Sequence, residues 1–206
     1  GSNINGGPLD DPALTPLWKK MADYDLPIWL HPTRAAGDIP DYQTEERSYY
    51  DMWWVFGWPY ETSVAMGRLV FSGIFDRHPN LKIITHHLGG LVPYIEGRVG
   101  YGWDQMGVRS SDVDYDAVLR SLRRRPLDYF HEFYADTAMF GASGATRCGV
   151  EFFGMDHVLF ASDMLFDPTP GLYMRETIRV IEGLGLSAED RERIYRGNAE
   201  RLLGLG

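Results

Sequence analysis

The sequence has little of what marks several large classes of protein. It holds one cysteine, Cys148, in 206 residues, so neither a disulfide framework nor a thiolate metal cluster can be assembled. No apolar run reaches the ~18 residues that a membrane-crossing helix requires. Basic residues are outnumbered, 20 Lys and Arg against 29 Asp and Glu, and the net charge of −9 opposes a nucleic-acid partner, which calls for a basic face. The one dense basic cluster, Arg123-Arg124-Arg125, reads as a solvated helix end. Internal repeats and low-complexity tracts are missing, as is any short His-rich motif of the zinc-protease type. There is no initiating Met either, since the chain starts at Gly1. These absences leave the expectation of a cytoplasmic chain with a free thiol, no membrane partner, and an excised, processed or truncated start.

What is present is a well-supplied core. Hydrophobic residues make up 44% and aromatics 14% of the chain, enough for one sizeable domain, here taken as residues 1–206. Helical spacing alternates with short apolar runs. A helix is expected over 12–24, capped by Asp10 or Asp11, before a strand at 26–30. Another helix over 61–76 precedes a strand at 81–85. Helical patterns at 91–104 and 113–130 precede a strand at 132–135, and a helix through the 140s precedes one at 158–161. Only helices follow, over 171–184, 187–196 and 197–204. Strands separated by single helices imply parallel crossovers and an α/β sheet covered by helices.

Polar residues stand where each expected strand stops: His31, then His86-His87, then Asp136, then Asp163. Parallel α/β folds place their sites at the carboxyl ends of strands. Imidazole and carboxylate are ordinary ligands for a divalent ion, provided that they converge from separate strands. Each histidine alone could equally be a hydrogen-bonded structural residue, and His78 and His157 are read that way. Asp136 is also assigned a structural role. Strand alternation sends neighbouring side chains to opposite faces, so only one of His86 and His87 is expected to face the site.

Several short segments together resemble one family. They are Pro8-Leu9-Asp10-Asp11, Leu26-Pro27-Ile28-Trp29-Leu30-His31-Pro32 and Gly57-Trp58-Pro59-Tyr60-Glu61-Thr62. The others are 81–90 (Leu-Lys-Ile-Ile-Thr-His-His-Leu-Gly-Gly) with Pro93, Leu159-Phe160-Ala161-Ser162-Asp163, and 197–203 (Gly-Asn-Ala-Glu-Arg-Leu-Leu). In this order they resemble the metal-dependent amidohydrolase group that includes the aminocarboxymuconate semialdehyde, γ-resorcylate and 5-carboxyvanillate decarboxylases. The resemblance implies a (β/α)8 TIM barrel of the amidohydrolase type. Only about its second half, strands 5–8 and the C-terminal helices, would be present, because four strands are too few to close a barrel.

By the same resemblance, His31 is a metal ligand, His87 rather than His86 is the active-site histidine, and Asp163 both binds metal and handles protons. The cofactor implied is a divalent ion, zinc or alternatively manganese. The family's opening His-x-His or Glu-x-His pair does not occur here, which leaves two ligands where three or four are expected and implies weak binding. Trp58 is the candidate substrate-binding residue, within an aromatic stretch from Tyr49 to Trp58 that suits a pocket wall, a subunit contact or plain core. Arg34 is either a partner for a substrate carboxylate or an exposed structural residue. The function implied is non-oxidative decarboxylation of a small aromatic or unsaturated carboxylic acid by a homo-oligomer, a dimer. The rivals are metal-dependent hydrolysis of a lactone or ester-like bond and a non-catalytic fragment or subunit.

Overall fold

A computed structural model describes residues 1–110 and 112–205 of the chain. Its centre is a four-stranded parallel sheet built from very short strands: β3 (Ile28–Leu30), β4 (Ile83–Thr85), β5 (Tyr134–Asp136) and β6 (Val158–Leu159). They lie side by side in chain order. The register pairs Ile28 with Ile83, Trp29 with Ile84, Ile84 with Tyr134 and Ala135 with Val158. A separate antiparallel pair, β1 (Asn3–Ile4) and β2 (Gly7–Pro8), opens the chain.

Helices connect the strands, as parallel pairing demands. Helix α1 (Thr15–Asp23) leads to β3. Between β3 and β4 lie α2 (Met52–Val55), α3 (Gly57–Phe71) and α4 (Ile74–Arg77). The single helix expected over 61–76 is thus interrupted at Gly73, whose φ of +70° reverses the chain. The expected 91–104 helix is instead a wide turn at Arg98–Gly102 and a tight one at Trp103–Gln105; glycines at 97, 100 and 102 weaken a regular helix there.

The 113–130 pattern splits into α5 (Tyr115–Ser121) and α6 (Pro126–Phe130). Pro126 starts α6 and drives Arg125 out of the helical region, to φ −61° and ψ 140°. The basic triplet therefore sits in the break, where Arg124 pairs with Glu132 and Arg125 grips Asp104 with two nitrogens. Then come α7 (Ser143–Phe153) before β6, and α8 (Leu172–Gly183), α9 (Ala188–Glu192) and α10 (Asn198–Leu203) after it.

The two faces of the sheet differ. Leu30, Ile83, Ala135 and Val158 enter the main core with Met66, Leu69 and Val70 of α3 and with Phe130, Phe133 and Val150. Full burial of the three α3 side chains is worth about 5–8 kcal/mol in transfer terms, which pins α3 against the sheet. On the other face Ile84 and Leu159 pack with Leu202 of α10, while Trp29 is half-exposed. Fully buried Asn198 fastens α10 to the sheet, donating to the carbonyls of Met155 at 2.6 Å and Val158 at 2.7 Å.

Candidate metal centre at the carboxyl ends of the strands

Polar groups gather at or beyond the strand ends: His31 after β3, His86 and His87 after β4, Asp136 at the end of β5 and Asp163 after β6. After β3, His31 precedes Pro32, whose ring restricts His31 to extended backbone. The His31 Nδ1 donates to the Pro32 carbonyl at 2.6 Å, which leaves Nε2 without a proton in the neutral ring.

After β4 the alternation rule stops applying, because the strand ends at Thr85. His86 is still extended, at φ −78° and ψ 159°, but His87 and Leu88 are both left-handed, at φ +51° and +46°. The turn swings the second imidazole to the same side as the first, with ring centres 3.9 Å apart. The expectation that only one of the pair faces the site is therefore corrected. Each left-handed residue costs about 1–3 kcal/mol, and specific contacts hold the turn. Asp136 accepts the His87 backbone N–H at 3.0 Å. Leu88 is buried against Gly149 of α7, where a Cβ would come within 2.8 Å of the leucine. Gly90 passes so close to α3 that a Cβ would lie 2.3 Å from the Pro59 carbonyl oxygen.

After β6, Asp163 is left-handed at φ +61°. Its Oδ1 lies 3.7 Å from His86 Nε2 and its Oδ2 lies 3.7 Å from His87 Nε2. One donor atom from each of His31, His86, His87 and Asp163 falls within 4.8 Å of the others. Four donors converge where the sequence suggested two ligands. His86 Nε2 and both nitrogens of His87 are buried without a hydrogen-bond partner, a costly arrangement in the absence of a bound group. Three imidazoles and one carboxylate form a donor set suited to a divalent transition ion.

Asp136, at the end of β5, is fully buried and accepts four hydrogen bonds. One oxygen takes Trp29 Nε1 at 2.8 Å and His86 Nδ1; the other takes the backbone N–H groups of His87 and of Ala138 at 3.1 Å. The sequence offers the His86-His87 pair as a candidate metal group, the resemblance prefers His87, and Asp136 is given only a structural role. The signal available was that Asp136, like His31 and Asp163, stands where a strand stops.

The cluster perturbs its own charges. Burial opposes charging His86, yet its hydrogen bond to Asp136 and the nearby Asp163 carboxylate lift its pKa to about 9. Burial pushes Asp163 up, but the paired histidines hold its carboxyl well below the usual range. His31 falls below its ordinary value through burial and the neighbouring His86.

Trp58 stands at the rim of the cluster, its N–H donating to the Arg34 carbonyl at 2.9 Å. Its ring is edge-on to His31 at 5.3 Å and nearly parallel to His87 at 6.3 Å. Trp53 and Trp54 pack around it, whereas Tyr50 is almost fully exposed. Arg34 is not open for a ligand: its guanidinium donates to the Ile39 carbonyl at 2.9 Å and pairs with Asp41. His131 and His157 bond the carbonyls of Phe152 and Phe133, on the opposite side of the sheet in the case of His157, which precedes β6. His78 ends α4.

Comparison with known proteins places this geometry in context. The profile of the amidohydrolase family matches residues 1–205. The chain is 30% identical to 2-amino-3-carboxymuconate-6-semialdehyde decarboxylase of Dictyostelium discoideum, over 100% of itself and 52% of that protein. It is 30% identical to gamma-resorcylate decarboxylase of a Polaromonas species, over 100% of itself and 62% of that protein. A crystal structure of dihydroxybenzoic acid decarboxylase from Polaromonas, with manganese and 2-nitroresorcinol bound, superimposes with a TM-score of 0.73 at 27% identity, over 96% of this chain and 55% of that one. The chain thus spans little more than half the length of the relatives it matches.

Proposed function

This chain belongs to the amidohydrolase family, and from that premise we propose that it carries the catalytic end of a metal-dependent non-oxidative decarboxylase for a small aromatic or unsaturated carboxylic acid. The observation that carries the reading is the convergence of His31, His87 and Asp163 from three strand ends onto one point. We read the four parallel strands as the last four of an eight-stranded barrel and residues 1–206 as one barrel-type domain.

His31 Nε2 and Asp163 would hold the ion. A bound divalent cation supplies positive charge that fixes the substrate carboxylate and a neighbouring oxygen. Trp58 offers an aromatic wall against which a flat ring can lie, 5.3 Å from His31. His87, whose ring nitrogens are both buried and unpaired, delivers a proton to the carbon that bears the carboxylate. The carbon–carbon bond then breaks, its electron pair remains with the ring, and carbon dioxide leaves. Asp163, whose carboxyl the neighbouring histidines hold low, is placed to bind the ion and to share in moving the proton. Manganese stands beside zinc as the ion, since manganese occupies the similar Polaromonas structure. A dimer and a cytoplasmic setting complete the reading. No helix among the described residues is long and apolar enough to cross a membrane.

The test offers the manganese- or zinc-loaded protein a panel of dihydroxybenzoates and related carboxylates alongside a panel of lactones. Carbon dioxide release that His87→Gln abolishes is the expected result. Lactone opening without carbon dioxide release would replace decarboxylation by hydrolysis, and inactivity on both panels by a loaded, folded protein would favour a non-catalytic subunit.

A further inference from the structure

We propose that His86, held by Asp136, is a direct ligand of the ion through Nε2, and that His87 is left outside the coordination sphere. The inference rests on the metal-centre reading above and divides the labour between two adjacent histidines.

The argument begins with Asp136. It is fully buried and accepts from Trp29, His86, and the backbone of His87 and Ala138. Indole and amide N–H groups only donate, so both oxygens of Asp136 already serve as acceptors. His86 must then donate from Nδ1. In the neutral ring this fixes the tautomer and turns a lone pair on Nε2 towards Asp163 and His31. A carboxylate that orients a histidine through its far nitrogen is the usual support behind a metal-bound imidazole.

The spacing fits an ion as well. His86 Nε2 and Asp163 Oδ1 stand 3.7 Å apart, beyond the ~2.7–3.2 Å of an N–H···O bond. Two ligands each about 2.1 Å from one ion, at a tetrahedral angle, lie about 3.4 Å apart. The gap is thus too wide for a hydrogen bond and close to the span of two ligands. His86 Nε2 is buried and has no other partner.

His87 Nε2 stands equally far from Asp163 Oδ2, at 3.7 Å, so what separates the two rings is the carboxylate behind His86, which His87 lacks. Neither of its ring nitrogens has a protein partner, and its ring rests among His86 at 3.9 Å, His31 and Phe140 at 5.8 Å and Trp58 at 6.3 Å with no hydrogen bond to orient it. A ring free to present either nitrogen suits proton transfer better than ligation. His86 also raises the ligand count above the two that the sequence reading allowed.

The experiment measures Mn2+ affinity of the purified chain by equilibrium dialysis, for wild type and for His31→Gln, His86→Gln, His87→Gln and Asp136→Asn, each checked for folding by circular dichroism. His86→Gln is expected to weaken binding at least 30-fold, Asp136→Asn about 10–100-fold through the misdirected ring, and His87→Gln less than 3-fold. Equal losses for His86→Gln and His87→Gln, or wild-type affinity in His86→Gln, would overturn the assignment while leaving a site that His31→Gln still destroys. A wild-type chain that binds no ion would overturn both this assignment and the metal reading beneath it. Should a variant fail to fold, nitrogen-15 NMR of histidine in the Zn2+-loaded wild type decides the matter. His86 is expected to show a protonated Nδ1 and a metal-shifted Nε2, and a metal-shifted His87 with an unshifted His86 would refute the proposal.

Discussion

Replacing Asp136 by Asn tests the polar centre of the sheet with almost no change of shape. The amide oxygen can keep the backbone N–H groups of His87 at 3.0 Å and Ala138 at 3.1 Å. The amide nitrogen then occupies the place of the oxygen that Trp29 Nε1 approaches at 2.8 Å. Indole can only donate, so two N–H groups confront each other, and one charge-assisted bond worth about 1.5–3 kcal/mol is lost. His86 can adapt by moving its proton to Nε2, but its bond falls from charge-assisted to neutral, which about halves it. The sum is a loss of about 3 kcal/mol, a large share of the ~5–15 kcal/mol typical of a domain. Urea unfolding of the metal-free chain measures it. Trp29→Phe removes the opposing donor, so the double variant should recover about 1–2 kcal/mol relative to the sum of the singles. Strict additivity, or an Asp136→Asn chain within 0.5 kcal/mol of wild type by the threshold of about ±0.5 kcal/mol for ordinary surface changes, would refute this account of Asp136.

Three other outcomes are expected. Gly90→Ala places a methyl 2.3 Å from the Pro59 carbonyl oxygen at a residue with φ +62° and ψ −116°; it should cost about 3 kcal/mol or more, visible as a lowered denaturation midpoint. Glu61 accepts the backbone N–H groups of Thr33 at 2.9 Å and Arg34 at 2.8 Å. Although burial pushes its pKa up, the nearby Ser2 hydroxyl, these bonds and one from the Asn3 amide hold it below the ordinary 4.5. With the folded pKa below the unfolded one, its stabilisation is present above pH 4.5 and fades as pH falls through the folded value. Glu61→Gln should therefore cost about 1–2 kcal/mol at pH 7 and bring the two unfolding curves together in acid; a difference independent of pH would contradict the assignment. Finally, Mn2+ at about a hundred times its dissociation constant should add about 2.7 kcal/mol, or about 5–10 °C in melting temperature, reversed by chelation.

The parallel sheet was legible because each strand is a compact apolar run stopped by a polar residue, and that same boundary marked His31 and Asp163. Less of the helical layer could be read. Periodicity carried the 61–76 and 113–130 patterns straight across Gly73 and Pro126, where backbone chemistry breaks the helix. The site was half visible. Alternation along a strand is valid only while the strand lasts, and β4 ends one residue before His86. Nothing in the residue types announces two left-handed residues in a row at His87 and Leu88, since that turn is sustained by Asp136 and α7, which lie far away in sequence. Asp136 stood in the correct place but lacked an obvious partner until the fold brought Trp29 and His86 to it.

Leu88 also gives the outer layer a hold on the chemistry. The side chain next to the His87 imidazole is wedged against Gly149, so a bulkier residue at that point of α7 would displace Leu88 and, with it, the neighbouring ring. On the function proposed above, a change in what His87 does can accordingly originate in α7, away from the strand ends. A search for altered activity confined to the strand ends would miss it.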